Sequence, residues 1–181
     1  LELTWGVVVQ GAALPLQASG AVLGLRDRIY VRVVNTSRDT LYVHLFDVGT
    51  RRKVARLSGE ALFGVEVRGH EGHTFGATPG GALTGFGLAW PDGVPREPPR
   101  PEELYVIAAR RGVNLGALET EQAIAAVATR GGPVGQARAV GTRDASALRT
   151  DGYLARRIEL TLRPVDAALA SADAAVAGPR D

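Results

Sequence analysis

The chain has 181 residues, 45% hydrophobic and 22% charged, with a formal net charge of +2. One domain with a sizeable core fits that length, and arginines scattered among acids do not make the one-sided basic surface that nucleic-acid binding needs. With no cysteine there is no disulfide, thiolate metal site or cysteine nucleophile in the chain, and no run of about 18 apolar residues offers a membrane span.

The 23 glycines and 10 prolines indicate many turns between short elements, which favours β over α. "LELTWGVVVQ" alternates Leu1, Leu3, Trp5, Val7 and Val9 against polar or small residues, the period of a strand with one buried face. "GAALPLQASGAVLGL" reads as a loop. "RIYVRVVN" and "TLYVHLFDVG" follow as strands, and the turn formers Asn35 to Asp39 between them predict an antiparallel hairpin.

"KVARL", "GVEVRG", "GHTFG", "FGLAW" and "ELYVIAAR" continue as short strands at the spacing of a sandwich or small barrel. A single short helix is expected near residues 119–129, with Glu119 and Glu121 in its first turn and Gly131-Gly132-Pro133 stopping it. Residues 131–150 are expected to be a flexible loop, and "YLARRIELTLRP" a last strand ended by Pro164. The domain therefore spans 1–164, followed by an alanine-rich tail or linker over 165–181. Lacking methionine, the chain reads as a piece of a longer protein.

Imidazole comes only from His44, His70 and His73. "HEGH" places His70 and His73 three apart near Glu66 and Glu71. That spacing is a weak metal candidate, because it departs from the one-turn spacing of H-E-x-x-H and is set among glycines. No G-x-S-x-G elbow marks a nucleophilic serine. Glu102-Glu103 reads as rim charge, and the glycine-rich "GATPGG" and "GGPVG" lack the Lys-Ser/Thr ending of a phosphate loop. No catalytic residue and no cofactor are therefore expected. The remaining candidates are contact residues: Trp90, Pro91 and Pro95 at a strand end, and Tyr42, His44 and Phe46 if that strand face is uncovered.

"DRIYVRVVNTSRDTLYVHLFDVGTRRKVARL" resembles a β-rich accessory domain found C-terminal to the caspase-like peptidase domain of bacterial, notably actinobacterial, multidomain proteins. The likeness rests on Asn35 and Ser37 in a polar turn, Leu41-Tyr42-Val43 after it, and Lys53-Val54 entering the next strand. "LTGFGLAWPDGVP" and "PEELYVIAARRGVNLGALET" are similar to that family's closing strands and helix entry, so the resemblance runs over roughly residues 1–165. It implies an immunoglobulin-like β-sandwich acting as a non-catalytic, protein-binding neighbour of a peptidase in the cytoplasm. Any Cys/His dyad would belong to that peptidase domain. A small metal-dependent enzyme built on His70 and His73, and a structural spacer, are the rival expectations.

Overall fold

In the computed structural model, residues 1–17, 19–49, 54–90, 93–119 and 152–164 are described. Eleven strands lie in them: β1 (Glu2–Val9), β2 (Ala12–Pro15), β3 (Ser19–Gly24), β4 (Arg28–Val34), β5 (Leu41–Val48), β6 (Val54–Arg56), β7 (Val65–Val67), β8 (Gly72–Phe75), β9 (Phe86–Gly87), β10 (Arg100–Ala109) and β11 (Tyr153–Arg163). They form two sheets. The first has the order β2-β1-β4-β8 with β9 also on β4, and the second β3-β11-β10-β5-β6 with β7 also on β5.

All pairings are antiparallel except β3 with β11. The chain enters in one sheet and crosses early to lie parallel to its own last strand, which makes the architecture an immunoglobulin-like β-sandwich. Its core is the set of inward rows that the alternation specified. Trp5, Val31 and Val33 from the first sheet meet Val43, Leu45, Leu104, Val106, Ile158, Leu160 and Leu162 from the second. Each aliphatic or aromatic side chain so buried stabilises the fold by about 1.5–3 kcal/mol before entropy is counted.

The hairpin expected between β4 and β5 does not form, because these strands belong to different sheets. The turn formers between them build an arch across the sandwich, held by Asn35. Its side-chain amide donates toward Asp39 O (2.7 Å), Val67 O (3.0 Å) and Arg68 O (3.1 Å), while Oδ1 accepts from Ser37 N and Oγ. A local turn would satisfy only neighbouring groups. Asn35 instead binds the end of β7 and the residue after it, more than thirty residues away, and so fixes where the chain changes sheets.

Residues 11–25, expected as a loop, contain β2 and β3. Strand β10 begins three residues before "ELYVIAAR", and this puts Glu102 on the inward row with Leu104 and Val106. Of the helix expected near 119–129, only Glu119 is described, as the last residue of a 3₁₀ turn, Gly116–Glu119. The rest of it lies outside the described residues, as do the 131–150 loop and the 165–181 tail.

Candidate functional site

Trp90 follows the buried Leu88 and packs partly buried against the core. Its Nε1–H donates to Val94 O (3.1 Å), closing the turn beyond it, and the Arg100 guanidinium stands 5.9 Å from the ring centroid. Both faces of its chemistry are thus used internally, the ring on the core and cation, the N–H on the chain. Pro95 is exposed beside it, and Pro91 lies outside the described residues.

At the same end, Asp47 and Glu102 share the inward face, and Glu102 is buried, which corrects its expected place on the rim. Burial pushes the Asp47 carboxyl up to about 6, while its hydrogen bond with Glu102 acts the other way. Two carboxyls in hydrogen-bond contact are closer than the spacing of about 5 Å or more that a glycosidase pair requires. Glu103 is on the outer face, accepting from Tyr105 OH (2.7 Å) and Arg157 Nη1 (3.3 Å).

The Tyr42–His44–Phe46 face is covered, so it offers no docking surface. His44 is 2% and Phe46 1% exposed, and only Tyr42 is half-buried. Their rows point away from the core, but the segment after β10 lies over them. His44 Nε2 meets Val113 O at 3.0 Å, which places the neutral ring's proton on Nε2, and the imidazole stacks on Phe46. Arg56 Nε, 2.7 Å from Glu119 Oε1, pins the far end of the segment. Burial holds the imidazole below its usual range; the Val113 carbonyl opposes this, the Arg56 charge adds to it, and the Phe63 carbonyl opposes it.

His70 and His73 do not converge. His70 is an exposed turn residue with φ of 64°, and its N–H donates to Asn35 O. His73, in β8, lies edge-on to Phe75, and burial lowers its pKa. Among the described residues no group of three or more His, Cys, Asp or Glu side chains is placed to hold a metal.

Sequence reasoning passed over a different surface. The turn between β6 and β7 exposes Leu62 (48%) and Phe63 (57%), and Val113 (45%) follows Gly112, which abuts Phe63. The contact is close: a Cβ added to Gly112 would lie 3.1 Å from Phe63 Cβ and 3.6 Å from Tyr42 Cδ1. His44 supports this apolar patch from behind through the Val113 carbonyl. The signal in "EALFG" was an adjacent Leu-Phe pair in a turn with no strand period to bury it.

No family model matches the chain, and no curated protein matches it. Among solved structures it is similar to the E. coli chaperone DraB, at 11% identity with a TM-score of 0.41. That match covers 90% of this chain and 55% of the other, so the chain spans about half the length of the structure it matches.

Proposed function

We propose that this chain is a non-catalytic binding module of a bacterial caspase-like multidomain protein, docking on the peptidase domain through the Leu62–Phe63–Val113 patch. The carrying observation is the patch itself. Three exposed apolar side chains sit on two abutting loops that a buried imidazole ties to the sheet beneath. Anchored apolar groups bind with little loss of conformational freedom, the property that distinguishes a contact surface from scattered exposed residues.

The resemblance supplies the partner, and its motif residues support a scaffolding role. Asn35 and Ser37 hold the arch, and Val43 fills the core. The arginine-rich, lysine-poor composition fits an actinobacterial source, and the cytoplasm is the compartment proposed with it.

The test is a binding titration of the chain against the caspase-like domain of its own reading frame. Phe63→Asp is expected to weaken binding at least tenfold while thermal stability stays unchanged, since the side chain is mostly solvated. Failure of the wild-type chain to bind that domain, or full binding by the variant, overturns the reading.

A further inference from the structure

The margin where the chain passes from the first sheet to the second is unevenly built. Leu14 of β2 pairs with Val7 of β1, and Ala12 with Val9, so all four share the inward face of Trp5. Leu14 and Val9 nevertheless remain 53% and 50% exposed. Among the described residues the second sheet does not reach beneath them. Trp5 Nε1 donates to Gln17 O (2.8 Å) just as the chain leaves for β3, so it is β1, not β2, that meets the start of β3. Strand β3 must then run back along the β1–β2 hairpin, because only three residues separate its end at Gly24 from Arg28, where β4 begins beside the far half of β1. The first sheet thus overhangs the second by one strand, a step of about 4.8 Å.

Among the described residues strand β3 is itself an open edge. "SGAVLG" pairs with β11 on one side and with no described strand on the other. Natural edges are blunted by charges, prolines, bulges or covering segments. This one has neither charge nor proline, its bulge is confined to the Gly20 end, and the Asp27 carboxylate caps only Gly24 N. Ala21 to Leu23 keep a regular register beside β11, and Val22 is 42% exposed on the outer face.

We propose that the β3 edge is a strand-addition site for an extended, uncharged peptide segment of a partner protein, with alternate apolar side chains lying under Leu14 and Val9. The main chain of β3 would supply the hydrogen bonds and the overhang the side-chain contacts. A second copy is the poorer occupant. A six-residue strand about 20 Å long in a sandwich leaf about 10 Å thick presents roughly 200 Å², so two such edges bury far less than the roughly 1,200 Å² of a stable dimer. The lack of charge along β3 matches an uncharged segment. This site is at the opposite margin of the second sheet from β6 and the Leu62–Phe63 turn, and it stands independently of docking there.

The test is fluorescence anisotropy of the full chain with a fluorescein-labelled peptide of alternating threonine and valine, combined with amide hydrogen exchange. Saturable micromolar binding is expected, with new protection at the Val22 amide, which lies on the same side as the Asp27-capped Gly24 N and so faces away from β11. Leu14→Lys and Val22→Lys, both at exposed positions, should each weaken binding at least tenfold, and Phe63→Asp should leave it unchanged. No saturation at about 1 mM peptide, or equal binding by both lysine variants, overturns the proposal. So does protection of the Val22 amide without peptide: in a concentration-dependent dimer it would mean a second copy occupies the edge, and in a monomer, the chain's own residues.

Discussion

Replacing Asn35 with alanine tests the arch on which the two-sheet arrangement depends. Asn35 is completely buried, and its amide has two protons to share among the carbonyls of Asp39, Val67 and Arg68. Alanine removes these donors and the acceptor used by Ser37. At about 1 kcal/mol net for each of two or three hydrogen bonds, with more where a carbonyl is left buried and unpaired, the loss is about 3 kcal/mol. Asn35→Asp keeps the shape and the Ser37 contacts but turns a carboxylate toward three carbonyl oxygens, so at neutral pH it should destabilise at least as much. Equilibrium unfolding in urea measures both, with unchanged m-values expected because the surface exposed on unfolding is the same. A loss under about 1 kcal/mol for alanine, or an aspartate variant as stable as wild type, would refute the assignment of the arch to this side chain.

Three further outcomes follow from the geometry. Trp90→Ala should lower stability by about 2–3 kcal/mol through lost packing and the freed Val94 carbonyl, yet leave peptidase-domain binding intact; loss of binding in a folded variant would return Trp90 to the interface. Asp47 titrates near 6 when folded against 3.8 ordinarily, so its contribution is present below about pH 4 and is lost as pH rises through 6. His44 and His73 are lowered by burial and act with the opposite sign, their contribution being present above 6.5 and lost as pH falls. Asp47→Asn should therefore be about 3 kcal/mol more stable than wild type at neutral pH and lack the fall in stability that wild type shows from about pH 4 to 6; urea titrations giving parallel pH curves would exclude this. His44→Phe should speed amide exchange in residues 111–119 while β5 and β10 stay protected, because it removes the bond to Val113 O; an unchanged exchange pattern would show that Arg56 and Glu119 alone hold the segment.

Much of the candidate surface was misread for one reason. Alternation put Tyr42, His44 and Phe46 on the face away from Val43 and Leu45, and that is where they are. It could not show that residues 111–119 cover this face, because a covering segment with no strand period leaves no mark on the strand it covers. Trp90 was legible only as a contact residue near a strand end; its ring on the core and its N–H on Val94 O came from the structure. The Leu62–Phe63 patch went unnoticed because it lies in a turn, where apolar residues carry no periodic signal.

What the sequence determined by itself was the local alternation: the inward rows of β1, β4, β5, β10 and β11, and with them a mostly β chain having one buried face per strand. What only the tertiary structure decided was which sheet each strand joins and what lies over its other face. A period of two specifies sides, since side chains alternate about the strand whatever its neighbours. Partners are set by contacts distant in sequence, such as Asn35 reaching the end of β7 and Trp5 meeting the chain at Gln17, and these exist only once the sheets have packed.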